Sequence, residues 1–184
     1  NEVLITGKRP DSYISTIDPI KTEVITSGEL SKGACCDLAG CFNTSGSVQP
    51  ATTNVITNSQ ELRILGLSGI YNQVLFDGMP MIQGLSYTYG ISAIPGPLVE
   101  NIFVAKGANS VAQGFESISG QINVEPKEPG NADKLLLNVY LNSFLESQFN
   151  TIYSNDIGNR KEWKSLTAFH TVQPALKVDR DDDN

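Results

Sequence analysis

Along the last third of the chain, apolar and polar positions alternate with a period of two. Leu135, Leu137, Val139 and Leu141 fall on one side, and Leu136, Asn138, Tyr140 and Asn142 on the other. That is the pattern of a β-strand with one strongly apolar face. Ser147 to Ser154 continues the series, and after a turn-rich Asn155-Asp156-Ile157-Gly158-Asn159 comes a third run, Trp163 to Val172. Each is close to the roughly 10-residue alternating segment of an outer-membrane strand, and each fits a strand of a soluble sandwich equally well.

Upstream the pattern is shorter and more broken. Val3 to Thr6 and Lys21 to Ile25 are brief β-type runs, with the polar stretch Lys8 to Asp18 between them. Thr26-Ser27-Gly28-Glu29-Leu30 has a hydroxyl cap and an acid in its first turn, so a helix is expected to about Phe42. Leu30, Ala34, Leu38 and Cys41 would share its buried face. Thr44 to Ser59, rich in Thr, Ser, Asn and Gln, reads as an irregular connection. Strands are expected at Glu61 to Gly66 and Ile70 to Phe76, the second ending at Asp77-Gly78, a strong hairpin signal. Pro80 bars a central strand, and Met79 to Pro97 reads as a long loop with Tyr87 and Tyr89 at least half exposed. Leu98 to Lys106 is a helical turn feeding a strand, Asn109 to Gln113 one helical turn, and Ser119 to Val124 a short strand. Pro126 to Asn131 marks a boundary.

Taken in order, these segments resemble a known family. Glu61-Leu-Arg-Ile-Leu-Gly66, Val74-Leu-Phe-Asp-Gly-Met-Pro80 and Ile94-Pro95 precede Leu98-Val-Glu-Asn-Ile-Phe-Val-Ala-Lys-Gly107. Ala108 to Gly114 and Ser119-Gly-Gln-Ile-Asn-Val124 close the set. The succession is similar to the plug domain of TonB-dependent outer-membrane receptors over roughly residues 20 to 125. Departures are Leu62-Arg63-Ile64 without an immediate Gly, Lys106 for the usual Arg, and Gly120-Gln121 for paired glycines. The resemblance implies an α+β plug with a small mixed β-sheet and short helices, followed by antiparallel strands of an incomplete transmembrane β-barrel. Three domains follow: an extension at 1–19, the plug at 20–128, and the first barrel strands at 129–184. Three strands cannot close a barrel, so the chain is expected to be a fragment of a longer one.

Composition narrows the function. With 184 residues, 40% of them apolar, the chain can bury a core, and its net charge of −7 argues against nucleic acid. No apolar run is long enough for a transmembrane helix. There is no N-terminal Met or leader pattern, so any signal peptide is expected to lie outside this sequence. No Walker loop, dinucleotide fingerprint or triad spacing is present, and His170 is the lone histidine; catalytic residues are not expected.

Four groups of residues are candidates for sites. Glu2, Val3, Leu4, Ile5 and Thr6 resemble a TonB box, which a partner would capture by β-augmentation, though an ordinary edge strand has the same texture. Cys35, Cys36 and Cys41 are an odd, clustered set whose soft thiolates suit copper or zinc, and Ala34 to Leu38 matches a stretch of a metal-associated plug subgroup. The alternative is three small core side chains, since Cys35 and Cys36 would point about 100° apart on a helix. Met79, Met81, Gln83, Tyr87 and Tyr89 are the candidate substrate contacts, the methionines also fitting a gap-filling role. Asp179, Asp181 and Asp183 have calcium-loop spacing without its Gly and distal Glu, and read as solvated loop.

The function implied by the resemblance is energised import of a metal complex, iron-siderophore or copper, with no required cofactor and no enzymatic activity. Its partners would be TonB with its inner-membrane energising complex, the outer membrane of a Gram-negative bacterium and the chelate, with the plug reachable from the periplasm. Two other classes fit the residues: a non-transporting plug or adaptor that occludes another channel, and a soluble metal-binding β-rich protein.

Overall fold

Where the chain is locally consistent, the strands form where alternation and turn chemistry place them. The computed structural model describes residues 11–15, 20–33, 37–54, 59–82, 87–108, 117–130, 132–141, 143, 145–157 and 163–173. Two compact units result, one up to Pro126 and one from Lys127.

The first unit is built on a six-stranded mixed sheet. Its strands are β1 (Tyr13–Ile14), β2 (Thr22–Thr26), β5 (Asn72–Phe76), β6 (Met79–Ile82), β7 (Val99–Lys106) and β8 (Gly120–Pro126), in the order β1-β2-β7-β8-β5-β6. Only β5 and β8 pair in parallel, Asn72 facing Gly120 and Phe76 facing Val124. The hairpin β3 (Val48–Asn54) and β4 (Ser59–Ile64) forms a separate two-stranded ladder. Val74, Ile102, Val104, Ile122 and Val124 of the sheet bury against Leu62 and Ile64 of β4 and against Leu38 and Phe42. Removing this apolar surface from water supplies the main stabilisation, at about 25 cal/mol per Å².

Three expectations are corrected here. The helix expected to Phe42 is not one helix: α1 spans Ser27–Leu30 and ends in a turn at 31–33, while Gly40–Phe42 is a separate 3₁₀ turn. Gly28, Gly33 and Gly40 weaken an uninterrupted helix by about 1 kcal/mol each. The Asp37 carboxylate also accepts the Gly40 N–H at 2.8 Å, and Asp37 bridges to Pro95, which together favour a local turn. Leu30, Leu38 and Cys41 are nevertheless buried, as their spacing suggests. The polar stretch from Thr44 contains β3, whose partner β4 shields it, so its composition concealed a strand. The loop expected from Met79 begins as strand β6 and contains a short helix, α2 (Tyr87–Gly90).

The β5–β6 hairpin turns at Asp77 and Gly78, both left-handed with φ of 52° and 75°. Two positive values in a row define the type I′ turn for which Asp-Gly is suited. Asp77 N–H donates to Val124 O at 2.8 Å and Gly78 N–H to Asn123 Oδ1 at 2.9 Å, tying the turn to β8. Pro80 sits in β6, an edge strand of the sheet, where a missing donor costs least.

The second unit is an antiparallel meander, β9 (Leu135–Leu141), β10 (Ser147–Ile157) and β11 (Trp163–Gln173), with β10 in the middle. β10 runs on through Asn155 and Asp156 to Ile157, past the point where a turn was expected, because each of these residues pairs with β11. Register puts Leu135 opposite Tyr153, Val139 opposite Phe149, Thr151 opposite Phe169 and Ile157 opposite Trp163 on one face. These large apolar side chains are exposed, and the Phe149 and Phe169 rings lie 6.5 Å apart. The opposite face carries a polar row: Asn150 Nδ2 donates to Asn138 Oδ1 at 3.1 Å, and His170 Nδ1 bonds Asn150 Oδ1.

Candidate functional site

At one end of the six-stranded sheet, β6 and β7 finish and β5 and β8 begin. β4 ends there too: Ile64 packs so tightly on Gly120 that an added Cβ would stand 2.8 Å from Ile64 Cδ1 and from Ala105 O. The β4–β5 loop, residues 65–71, therefore projects from this end, with Ile118 beside it through its N–H to Tyr71 O at 3.0 Å.

A carboxylate holds the loop. Glu61, buried on β4, accepts Ser68 Oγ at 2.7 Å, Gly69 N–H at 3.0 Å and Arg63 Nε at 2.7 Å. Burial pushes its carboxyl up, but the hydrogen bonds from Ser68, Arg63 and Gly69 and the Arg63 charge outweigh that and hold it below the ordinary 4.5. Beneath the loop, Asn72 Nδ2 and the Tyr87 hydroxyl both donate to Leu62 O, the latter at 3.3 Å. Ser119 Oγ donates to Tyr71 O at 2.9 Å and also bonds Asn72 Oδ1, closing the network across the parallel strand pair.

Tyr87 is therefore not a surface group. It is 3% exposed, and burial pushes its phenol up to about 12, the bonds to Asn72 and Leu62 O pulling the other way. The expectation that Tyr87 is half-exposed and contacts substrate is corrected. Gly69 makes the burial possible, since a Cβ there would stand 2.5 Å from Tyr87 Cε1. Tyr89, two residues on, is exposed. Met79 is exposed as well, but it begins β6 beside the Asp77-Gly78 turn, at the opposite end of the sheet from the 65–71 loop. Met81 follows in the same strand. Gln83, Glu2 to Thr6, Cys35, Cys36, Asp179, Asp181 and Asp183 lie outside the described residues. Cys41 is a buried thiol in the core against Leu38 and Phe42, the environment of a small hydrophobe. No cluster of three metal-ligating side chains occurs among the described residues. Glu61, Gly69, Asn72 and Ser119 were not singled out in the sequence; only the hydroxyl-Gly pair Ser68-Gly69, eight residues after an acid, hinted at the clamp.

The model of the TonB-dependent receptor plug domain matches residues 16–121, more than half of the chain. The chain belongs to that family. It is a family of receptors, not enzymes. Among solved structures, the alcaligin outer-membrane receptor FauA from Bordetella pertussis is 18% identical, with a TM-score of 0.68 over 85% of this chain and 27% of its own. The ferripyoverdine receptor of the Pseudomonas aeruginosa outer membrane is 15% identical, with a TM-score of 0.69 over 86% of this chain and 21% of its own. The copper transporter OprC is 16% identical, with a TM-score of 0.56 over 77% of this chain and 22% of its own. At these identities the likeness is one of fold. The chain spans about a quarter of the length of the receptors it matches. No helix among the described residues is long and apolar enough to cross a membrane, which leaves crossing by strands open.

Proposed function

We propose that this chain is the plug and first barrel strands of a TonB-dependent transporter in the outer membrane of a Gram-negative bacterium. Its task is to gate energised import of a metal complex, iron-siderophore or copper. The observation that carries this is the succession in one chain of a plug-family fold and an antiparallel meander with an exposed apolar face. An apolar band on β-strands with a polar opposite face is what a bilayer on one side and a hydrated lumen on the other require. Fold relatives named for alcaligin, ferripyoverdine and copper support a metal-bearing substrate.

In this reading the plug closes the lumen, and TonB captures Glu2 to Thr6 from the periplasm by adding a strand to its own sheet. The parallel β5–β8 pair and the Glu61 clamp keep the plug ordered until it is pulled. Tyr89 and Met79, both exposed, remain candidate substrate contacts. Deleting Glu2 to Thr6 in the full-length receptor tests the proposal. Energised uptake of the metal complex is expected to stop while cell-surface binding persists; unchanged uptake would refute it.

A further inference from the structure

The chain makes two turns of the same geometry from different residues. At Ile64-Leu65-Gly66-Leu67, both central residues are left-handed, with φ of 56° and 77°, and Leu67 N–H donates to Ile64 O at 3.0 Å. The β5–β6 hairpin makes that turn with Asp-Gly, the preferred pair. Here the first position is Leu, a residue whose Cβ opposes the left-handed conformation and which is seldom found in it. The Leu65 side chain gains no burial in return, being 66% exposed. Neighbouring it are Leu67, Ile70 and Tyr71, all exposed, and Ile118, 60% exposed and bonded to Tyr71 through the backbone. The whole surface is free of charge: no Asp, Glu, Lys or Arg occurs from Ile64 to Phe76 or from Ser117 to Val124. The nearest ions in sequence, Glu61 and Arg63, neutralise each other at 2.7 Å.

An unfavourable backbone retained to display an apolar side chain points to a use for that side chain. We infer that Leu65, Leu67, Ile70, Tyr71 and Ile118 form the contact for an uncharged, apolar part of the metal complex, an aryl or acyl group, and that Glu61 is the positioning residue that holds this contact rigid. The inference rests on the import reading and names its substrate class. A chelate dense in carboxylates would be desolvated against this surface with no cation to receive it. An apolar group loses only water, and a loop already fixed by three bonds to one carboxylate has little ordering left to undergo on binding.

The test uses the full-length receptor and two ferric tris-hydroxamates that differ in one substituent, an aliphatic acyl chain or a carboxylate. The wild type is expected to bind the acyl chelate about tenfold or more tighter than its partner. Leu65→Asn installs the residue the turn prefers, so the loop amides should exchange more slowly with solvent while acyl-chelate affinity falls about tenfold and carboxylate-chelate affinity holds. Glu61→Gln should weaken acyl-chelate binding and speed loop exchange together. Equal affinity for the two chelates, or an unchanged acyl affinity in Leu65→Asn, overturns the inference. Faster loop exchange in Leu65→Asn overturns it also, since that outcome assigns the patch to packing within the receptor itself. Failure to bind either chelate while cells still import a metal complex overturns the inference alone; failure of all metal-complex uptake overturns the import reading with it.

Discussion

Replacing Gly69 by Ala tests whether the close approach of loop and Tyr87 holds this end of the plug together. The new Cβ would stand 2.5 Å from Tyr87 Cε1 and 2.9 Å from Cζ and the hydroxyl oxygen. Gly69 is not left-handed, so the clash is with the ring and not with the backbone conformation. The ring cannot retreat freely, because it is buried and its hydroxyl donates to Leu62 O at 3.3 Å. Overpacking costs about 1–3 kcal/mol, and losing the hydrogen bond about 1 kcal/mol more. Ala for Gly returns about 0.4–1 kcal/mol through the unfolded chain. The net expectation is a loss of about 2 kcal/mol. Tyr87→Ala alone should cost about 3–5 kcal/mol by analogy with other buried aromatics. In that background Gly69→Ala should be close to neutral, giving a coupling of about 2 kcal/mol between the two positions. The assay is hydrogen exchange of the β5 and β8 amides in the full-length receptor, which reads the opening free energy of this region. If Gly69→Ala costs as much without the Tyr87 ring as with it, the steric account is wrong.

Further outcomes follow from the clamp and from the membrane strands. Because the Glu61 carboxyl is held below 4.5, its contribution is present above the unfolded value and is lost as pH falls through the folded one. Exchange of the Ser68 and Gly69 amides should therefore accelerate below about pH 4.5 in the wild type, whereas Glu61→Gln should be fast and nearly pH-independent after correction for intrinsic rates. Val139→Arg on the apolar face should impair membrane assembly by about 2–4 kcal/mol if that position is near the bilayer midplane, while Asn138→Ser on the opposite face should assemble normally. Heat-modifiable mobility of the receptor on gels reads this, and normal assembly of Val139→Arg would remove lipid from that face. Gly120→Ala should destabilise the plug strongly, since one of its 2.8 Å neighbours is the backbone oxygen of Ala105, which cannot turn aside like a side chain. Hydrogen exchange at β7 and β8 should show it.

Much of this protein is local in origin, and that part was legible in the chain itself. Leu135 to Leu141 is a strand because its period is two. Asp77-Gly78 is a hairpin turn because those residues accept left-handed backbone, and the order of such signals carried the family. The tertiary structure decided whatever depended on partners distant in sequence. It separated Tyr87 from Tyr89, identical residues two apart, by bringing Gly69 and Leu62 O against only the first. It paired β5 with β8 in parallel, a contact between segments 48 residues apart that no local period announces. It ended the helix expected to Phe42, because glycine propensity and the Asp37 turn outweighed an apolar spacing that burial satisfied without a helix. And it converted Glu61, one acid in a strand, into the group that holds the loop. A carboxylate's role is set by the donors that surround it, and those donors converge only when the chain has folded.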